Sequence, residues 1–407
     1  MGWPIYVIGD VCKVISGGTP KSGILEYWDG EVNWITPKDM GQLEDVYVSV
    51  TSRTISEKGL SKSSAKLVPA NSVILSTRAP IGHLAINSVP MATNQGCRGL
   101  VPDQQKLTTK YLFYYLLSKV DLLNELGSGT TFKELSKTAL EKVSIPVPGL
   151  NEQKRIVAML DEAFEDIDKA RELTEQNLKN ARELFESYLD KAINNSSSSW
   201  VTEQLRNLTT KIGSGATPRG GKATYKKEGI ALIRSLNVYD RKFKPENLAL
   251  IDDDQAEKLQ NVTLKSGDVL LNITGASVAR CCIVPTSAVP GRVNQHVSIL
   301  RCKQNQLLPE FLLYALTSKF YKNQLLGIGE AGSTRQAITK AQLESFTISF
   351  PRSTDEQKQV VEELKTVERH VESIYGYYSV KLDSLNELKQ LLLHQALNGR
   401  LRLTEIS

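Results

Sequence analysis

The side chains best suited to chemistry in this 407-residue chain lie in polar loops that occur twice along the sequence. Residues 76–78 (Ser-Thr-Arg) match residues 272–274 (Asn-Ile-Thr), and residues 93–95 (Thr-Asn-Gln) match residues 293–295 (Val-Asn-Gln). Lys and Arg neutralise phosphates, and Asn, Gln, Arg, Ser and Thr are the side chains that read base edges. The loops therefore predict nucleic-acid contact, although solvated loops in general share this composition.

Two further loop pairs have the same character, namely the basic turn after each Thr-Pro pair and the segments around residues 128–133 and 332–335. The candidate DNA-binding residues of the first half are Lys21, Lys38, Thr77, Arg78, Asn94, Gln95, Thr130, Thr131 and Lys133. Those of the second half are Arg219, Lys222, Lys226, Lys227, Arg234, Asn272, Thr274, Asn294, Gln295, Ser333, Thr334 and Arg335. For the two Asn-Gln pairs, a structural role in a turn is an equally good interpretation.

Catalytic and metal-binding patterns are not found in the sequence. The four histidines, His83, His296, His370 and His394, have no metal-ligand spacing. Residues 327–332 match G-x-G-x-x-G, but they follow a helix-like stretch rather than a strand, and residues 216–223 lack the first glycine of a phosphate loop. We therefore predict no catalytic residue, no metal and no cofactor bound by this chain, and a nucleotide-binding enzyme remains only an alternative.

The chain contains an internal duplication. Residues 15–20 (Ile-Ser-Gly-Gly-Thr-Pro) return as residues 212–218, and Glu-Gln-Lys at 152–154 returns as 356–358. Two long copies about 200 residues apart predict two domains of similar fold. Because the copies have diverged, they are suited to binding two similar but non-identical targets.

Each copy has the same order of predicted elements. Strands are predicted at 71–77 and 142–147 with a helix at 110–119 between them, and the second copy repeats this order with strands at 267–272 and 345–350 and a helix at 309–320. Short strands, few helices and many turn residues indicate α+β domains with irregular sheets.

A long helix is predicted after each domain. Residues 151–193 contain neither proline nor glycine, and the apolar residues of both segments recur at spacings of three and four. Asn151 and Thr354 are the predicted start signals, and Gly399 is a stop signal. The residues predicted to pair the helices are Leu160, Ile167, Leu178, Leu184, Leu364, Val367, Val371, Ile374, Tyr378, Leu382 and Leu385.

The apolar stripes of the two helices predict an antiparallel coiled-coil pair, about 60 Å long, that joins two domains related by a pseudo-two-fold axis. The alternative is that each helix packs only on its own domain. The predicted division is a first domain at 1–150, a first helix at 151–194, a second domain at 195–353 that begins with a Ser-rich linker at 195–199, and a second helix at 354–400.

Composition limits the class of protein. The hydrophobic content is 41%, and 50 Lys and Arg against 45 Asp and Glu give a formal charge of +5, which permits a polyanionic partner without requiring one. Five cysteines without a C-x-x-C spacing favour a reduced, cytoplasmic setting. The sequence shows no leader pattern and no apolar run long enough to span a membrane.

These features together resemble the specificity subunit of a type I restriction–modification system. The resemblance covers the whole chain and is carried by the duplication, the Gly-Gly-Thr-Pro turn, Trp3 and Trp200 at the start of each copy, and the exits at 145–148 and 348–351 that precede Glu-Gln and a long helix. The second exit departs slightly, with Ser-Phe in place of Pro-Val.

The resemblance implies two target recognition domains, each of which reads one half of an asymmetric, bipartite DNA sequence, and helices that fix the spacer and dock two modification (methyltransferase) subunits. Restriction subunits would join through these partners. S-adenosylmethionine would be bound by the methyltransferase, and ATP and Mg by the restriction subunit. The competing hypothesis is a coiled-coil scaffold whose two domains bind proteins rather than DNA.

Overall fold

The computed structural model describes residues 2–78, 80–129, 133–194, 199–330 and 337–400. By its internal contacts the chain divides between residues 174 and 175 and again between residues 379 and 380. The first unit holds the two outer parts, and the second unit holds residues 175–379. Each unit therefore contains one domain and part of both long helices, whereas the predicted division gave each helix a segment of its own.

The first domain is built on a five-stranded sheet. In the order of hydrogen bonding its strands are Cys12–Ser16, Cys97–Pro102, Ser72–Thr77, Ile81–Asn87 and Tyr47–Val48. A four-stranded sheet contains Thr54–Ile55, Trp28–Ile35, Met91–Thr93 and Leu67–Val68, and Ile5–Val7 pairs with Ser144–Pro146. The α-helices of this domain in the described residues are Ile8–Val11, Pro37–Met40, Glu57–Ser61, Thr109–Leu117, Val120–Glu125 and Lys137–Glu141.

The second domain repeats this plan with a four-stranded sheet. Its strands are, in order, Thr209–Ser214, Val297–Cys302, Val269–Asn272 and Cys281–Ile283. Ala249–Ile251, Ile230–Ile233 and Arg292–Val293 form a second sheet, Val238–Tyr239 pairs with Lys242–Phe243, and Trp200–Gln204 pairs with Thr347–Pro351. The α-helices that the structure describes here are Leu205–Leu208, Asp253–Glu257, Pro309–Thr317, Lys319–Glu330 and Lys340–Ser345.

The central strand of each main sheet explains its apolar sequence. All six residues of Ser72–Thr77 and all four of Val269–Asn272 are buried, because each strand has a neighbouring strand on both sides and is covered on both faces. One covering element is the helix Thr109–Leu117 in the first domain and Pro309–Thr317 in the second. The helix predicted at 309–320 ends at Thr317, and the separate helix Lys319–Glu330 follows it.

The two long helices are Leu150–Ile193 and Thr354–Leu397, with 44 residues each. The second one ends in a Schellman motif, in which Arg400 N–H donates to the Gln395 carbonyl at 3.0 Å and Gly399 has a left-handed φ of +66°. Glycine adopts this φ without the penalty that a Cβ would add, so Gly399 is a stop signal as predicted.

The helices pack antiparallel within each unit. In the first unit Lys389 Nζ lies 3.0 Å from an Asp168 carboxylate oxygen, while Ile156 and Ala396 line one cavity. In the second unit Arg182 donates to the Tyr375 hydroxyl at 2.9 Å. The predicted fold class, two α+β domains with two long antiparallel helices, is confirmed.

The predicted pairing residues divide into three groups. Leu160, Ile167 and Leu364 are buried, whereas Leu178, Val367, Val371, Tyr378, Leu382 and Leu385 are half-buried. The prediction is wrong for Leu184 and Ile374, which are 64% and 42% exposed. Phe185 takes the buried position instead of Leu184, because it lies four residues from both Ala181 and Leu189 and so continues their stripe. At Ile374 the neighbouring Tyr375 makes the contact to the first helix.

Candidate nucleic-acid interface

The repeated glycine turn packs against the Asn-Gln loop in both domains. A Cβ on Gly17 would lie 1.9 Å from the Asn94 carbonyl oxygen, and one on Gly215 would lie 1.9 Å from the Val293 carbonyl oxygen. No side chain fits at such a distance, so each position requires glycine. The glycine that both copies of the motif share is therefore explained by close backbone packing.

Four loops of the first domain meet at one end of its sheet. The Gly18 N–H donates to the Thr93 carbonyl at 2.9 Å, which joins the glycine turn to the Asn-Gln loop. Thr77 N–H donates to the Gly96 carbonyl at 2.7 Å and its own carbonyl accepts from Leu135 N–H at 2.9 Å. The structure thus brings together loops that are up to 118 positions apart in the sequence.

The second domain repeats two of these three bonds, and its glycine turn is joined to the Asn-Gln loop through a neighbouring pair of residues. Gly215 N–H donates to the Asn294 carbonyl at 3.1 Å, and Ile273 N–H donates to the His296 carbonyl at 3.0 Å. The Ile273 carbonyl accepts from Ile338 N–H at 2.8 Å, as the Thr77 carbonyl does from Leu135. Both copies therefore hold the predicted loops in the same backbone frame.

The two asparagines of the Asn-Gln loops stabilise turns. Asn94 Oδ1 accepts from Gly96 N–H at 2.6 Å, and Asn294 Oδ1 accepts from His296 N–H at 3.0 Å. An Asn oxygen bonded to the N–H two residues later is a typical Asx turn. The structural interpretation that the sequence left open accordingly describes both asparagines.

Three candidate DNA-binding residues are buried, which corrects their prediction as contact residues. Thr77 and Asn272 have no exposed surface and Asn294 is 3% exposed. Thr77 donates to the Gly96 carbonyl, and Asn272 Nδ2 donates to the Ser235 carbonyl at 2.9 Å. These polar side chains therefore satisfy the backbone of their own domain and do not present groups to a base edge.

The other described candidates keep accessible surface. Lys21, Lys38, Gln95, Lys133, Arg219, Lys222, Lys226, Lys227 and Gln295 are exposed, and Arg78, Asn94, Arg234 and Thr274 are half-buried. Lys226 pairs with Asp252 at 3.1 Å, and a backbone N–H from Gln255, together with Lys226, holds the pKa of Asp252 below its usual value. Thr130, Thr131, Ser333, Thr334 and Arg335 lie outside the described residues.

The accessible groups in the first domain's loop cluster are mainly cationic. The half-buried Arg78 and the buried Arg98 both approach the carboxylate of Glu134, at 3.8 and 3.5 Å. Lys133 and Gln95 are exposed beside them along the chain. Two guanidinium groups that share one carboxylate leave a net positive charge, which suits contact with a phosphate or a guanine edge.

The second domain's loop cluster instead forms a cleft of about 440 Å³. The cleft is lined by Ser235, Leu236, Tyr239, Thr274, Gly275, Ala276, Ser277, Arg280 and His296. Thr274 Oγ1 and His296 Nδ1 are 2.5 Å apart, and Gln295 Nε2 is 3.2 Å from His296 Nε2. The Arg280 guanidinium lies 4.7 Å from the Tyr239 ring centroid, so the cleft combines donors, acceptors and an aromatic face.

Sequence reasoning included Thr274 but missed the other members of this cleft. His296 directly follows the predicted Asn-Gln pair, so its position beside a duplicated loop was a usable signal. The glycine at the matching position of the first copy, Gly96, shows how the copies differ there. Tyr239 and Arg280 gave no such signal, because only the folded chain brings residues 239, 274 and 280 to one cleft.

A buried glutamine at the base of each long helix holds the domain in place. Gln153 Oε1 accepts from Thr108 N–H at 2.8 Å, and its Nε2 donates to the carbonyls of Lys106 and Pro148 at 2.7 and 2.8 Å. Its side chain thereby satisfies an N–H at the start of the helix Thr109–Leu117, one of the groups that lack an intrahelical partner.

Gln357 makes the same three bonds in the second unit. Its Oε1 accepts from Leu308 N–H at 2.9 Å, and its Nε2 donates to the carbonyls of Gln306 and Pro351 at 2.8 Å each. Both glutamines are fully buried. The glutamine of the duplicated Glu-Gln-Lys motif is therefore a structural attachment between domain and helix.

Three further features of the described residues concern metal binding, the glycine pattern at 327–332 and membrane spanning. The described residues contain no group of three or more His, Cys, Asp or Glu side chains that could hold a metal ion. Gly327 and Gly329 lie inside the helix Lys319–Glu330, so this glycine pattern does not form a loop between a strand and a helix. None of the helices in the described ranges combines the length and apolar character needed to cross a membrane.

Comparison with known proteins identifies the family. The model of the type I restriction modification DNA specificity domain matches residues 1–180 and again residues 197–379. The chain belongs to this family. Each match covers one domain and the first part of the long helix that follows it, in agreement with the duplication.

Curated relatives from Methanocaldococcus jannaschii are named specificity subunits of type I restriction enzymes, the non-catalytic components of these systems. The MjaIX subunit is 37% identical over 191 residues, which are 46% of this chain and 43% of that protein. This chain thus aligns with less than half of the MjaIX subunit. The MjaVIII subunit is 22% identical over all of this chain and 94% of its own length.

Two solved structures share the fold. A chain from a structure of the complex assembly of a type I restriction–modification system has a TM-score of 0.79, at 20% identity over 98% of both chains. The HsdS subunit from Thermoanaerobacter tengcongensis has a TM-score of 0.59, at 18% identity over 98% of this chain and 97% of that one.

Proposed function

We propose that this chain is the DNA-reading subunit of a type I restriction–modification complex and carries no active site of its own. Each domain reads one half of a bipartite, asymmetric target through its loop cluster. The observation that carries the proposal is that both domains hold equivalent loops in one backbone frame while the exposed side chains on those loops differ.

The chemistry of the loop clusters supports two different readers. The first domain offers Arg78, Lys133 and Gln95, which suit guanine edges and phosphates. The second domain offers Thr274, His296 and Arg280 in a cleft, which mixes donors with acceptors. Two readers with different groups select two different half-sequences, so the complete target is asymmetric.

The enzymatic activities belong to partner subunits in this proposal. Two methyltransferase subunits bind S-adenosylmethionine and modify the target, and restriction subunits that use ATP and Mg join through them. Because the substrate is genomic DNA, the complex acts in the cytoplasm. The modest formal charge of +5 is consistent with partners that supply much of the phosphate contact.

The long helices present apolar side chains that suit partner docking. Leu173 and Leu184 on the first helix are 66% and 64% exposed, and Tyr377 and Val380 on the second are 68% and 65% exposed. Exposed apolar surface is where protein partners commonly dock. We assign these surfaces to the methyltransferase subunits.

Methylation mapping tests the function directly. The full chain is co-produced with the methyltransferase subunits in a host without adenine methylation, and every methylated adenine of the host genome is mapped. We expect one asymmetric sequence of two specific parts separated by unspecific bases, and no methylation when this chain is omitted. Methylation that is independent of the chain, or a target without two parts, contradicts the proposal.

The long helices are proposed to set the spacer between the two half-sequences. Insertion of four residues after Glu175 adds about one helical turn to the first helix. We expect a longer spacer or complete loss of recognition in the same mapping experiment. An unaltered spacer with full methylation would show that this helix does not set the spacing.

A further inference from the structure

Arg241 occupies an unusual position in the second domain. It lies in the turn between the strands Val238–Tyr239 and Lys242–Phe243, with a left-handed φ of +58° that few residues other than glycine adopt. Its N–H donates to the Cys281 carbonyl at 2.8 Å, which ties the turn to a strand of the main sheet. This hydrogen bond fixes the backbone of the turn, from which the Arg241 side chain extends.

The Arg241 guanidinium contacts both long helices. Its nitrogens lie 3.0 Å from Glu186 on the first helix and 2.8 Å from Glu368 on the second. The guanidinium also lies 4.8 Å from the ring centroid of Phe185, and only 18% of the Arg241 side chain is exposed. The planar fork of arginine can donate to two carboxylates at once, which the single ammonium of lysine does poorly.

The neighbouring residues connect this turn to the recognition cleft. Tyr239 lines the cleft, where Arg280 and Lys244 lie 4.7 and 3.9 Å from its ring centroid. Asp240 pairs with Lys322 on the helix Lys319–Glu330. Tyr239 at the end of its strand contacts the cleft and Arg241 in the following turn contacts the helix pair, so the two sites are joined by three consecutive residues.

In the first unit, the carboxylate that accepts from the matching tyrosine takes its cation from a different element. Asp161 accepts from the Tyr114 hydroxyl and pairs with Lys110 at 2.8 Å, and both partners belong to the helix Thr109–Leu117. In the second unit Glu368 accepts from the Tyr314 hydroxyl at 2.6 Å but takes its cation from Arg241. The cation that reaches both helices is therefore a feature of the second copy.

We propose that Arg241 is a positioning residue that fixes the second recognition domain on both long helices and thereby limits the spacer to one length. This inference rests on the proposed function. A DNA helix turns once in about 10 base pairs, so each added base pair rotates the second half-sequence by about a tenth of a turn. A domain held at two points cannot follow that rotation, whereas a domain released at one of them can.

The test measures spacer discrimination by the full complex of this chain with its methyltransferase subunits. Substrates carry the same two half-sequences with a spacer one base pair shorter than, equal to or one longer than that of the mapped target. We expect Arg241→Ala to lower the ratio of methylation rates between the correct and altered spacers at least tenfold. Arg241→Lys should give an intermediate ratio, and the second half-sequence should stay the same.

Arg182→Ala is the matched control, because Arg182 joins the two helices to each other through the Tyr375 hydroxyl. It should retain the wild-type ratio. If Arg241→Ala unfolds at a lower temperature than the wild type, Glu186→Gln is measured instead; it keeps the pair with Glu368, and a smaller fall in the same direction is expected. An unchanged ratio in the arginine and glutamate variants, or an equal fall in Arg182→Ala, overturns the inference. A wild-type complex without sequence-dependent methylation contradicts the proposed function itself.

Discussion

The two domains agree where they are attached to the long helices and differ where their loops are exposed. Gln153 and Gln357 make three equivalent bonds each, and Tyr114 and Tyr314 both donate to a carboxylate on a long helix. Every one of these groups is at least partly buried, and an unpaired buried polar group costs about 1–3 kcal/mol. Divergence at such positions is therefore strongly penalised.

The exposed loops show the opposite behaviour. Three residues join the strands Ser72–Thr77 and Ile81–Asn87 in the first domain, whereas eight join Val269–Asn272 and Cys281–Ile283 in the second. The longer loop supplies Thr274, Ser277 and Arg280 to the cleft. Changes in solvated loops cost little stability. The two domains thus share the backbone arrangement that holds their loops, while the exposed side chains available for binding differ.

The largest predicted effect tests whether the glutamine attachments between domain and helix are equivalent in both copies. Gln357→Leu leaves the Leu308 N–H and two carbonyls without their partner, and Gln153→Leu does the same to Thr108 N–H and two carbonyls. We expect each change to lower the local free energy of unfolding by about 3 kcal/mol or more, because several buried groups lose a bond. Hydrogen exchange resolved by peptide measures this in each unit separately.

The control for this change is Gln359→Leu, since Gln359 is an exposed glutamine on the same helix whose side chain bonds only Glu363 at 3.2 Å among the contacts described. It should alter stability by less than about 0.5 kcal/mol. A large loss at Gln357 with none at Gln153 would show that the two attachments are not equivalent.

A smaller effect, confined to one half of the target, tests whether the loops are independent readers. Arg78 and Thr274 occupy matching positions, so Arg78→Ala should weaken discrimination in one half-sequence and Thr274→Ala in the other. The expected loss is about 1–2 kcal/mol, or roughly tenfold in relative methylation rate, in line with single base contacts. Substrates with one altered base in each half measure it.

Lys62→Ala serves as the matched control, because Lys62 is an exposed cation in the first domain outside the loops that meet at the sheet end. It should leave the base preferences of both halves unchanged. If Arg78→Ala and Thr274→Ala weakened the same half-sequence, the assignment of one half to each domain would be wrong.

The smallest predicted effect concerns the buried thiols. Their number differs between the two domains, so the stability of each domain should depend differently on pH. Burial raises the pKa of Cys12 and Cys97 in the first domain, and of Cys282 and Cys302 in the second, to about 12. It also raises the pKa of Cys281 in the second domain. An unfolded thiol has a pKa of about 8.5, so the unfolded chain releases these protons first. The stabilising contribution is complete below pH 8.5 and is lost as the pH rises towards 12.

Between pH 8.5 and 10 the loss should be on the order of 1 kcal/mol per thiol, and the second domain has three such thiols against two in the first. Alkylation by iodoacetamide, followed by mass spectrometry, should therefore label no cysteine at pH 7 and should reach the second domain's thiols first as the pH rises. Cys282→Ala should weaken this pH dependence. Labelling of all five cysteines at pH 7 would contradict their burial.

The sequence predicted the parts of this fold that depend on local pattern. The duplication, the central strands, the two long helices and the loops that form the candidate interface all follow from repeats, periodicity and turn residues. Helical periodicity does not distinguish adjacent residues well, so it selected Leu184 where the structure buries Phe185. Composition likewise assigned Thr77 and Asn272 to binding, since a polar residue in a loop looks the same whether it faces solvent or its own backbone.

The remaining features depend on contacts between residues that are far apart in sequence. Gln153 was part of a recognised motif, but its role required Lys106 and Thr108 to lie beside it. No sequence pattern pointed to Arg241, because its role depends on ion pairs with Glu186 and Glu368 on two different helices. Local patterns do not contain such pairings.

One measurement tests most directly the claim that the two domains share one backbone arrangement and recognise different half-sequences. Residues 2–149 are replaced by a second copy of residues 199–353, so that both domains end at the same position before a long helix. The chain is then co-produced with the methyltransferase subunits and its target is mapped. The account predicts an inverted repeat made of the half-sequence that the second domain reads. An asymmetric target that still contains the original first half-sequence would contradict it.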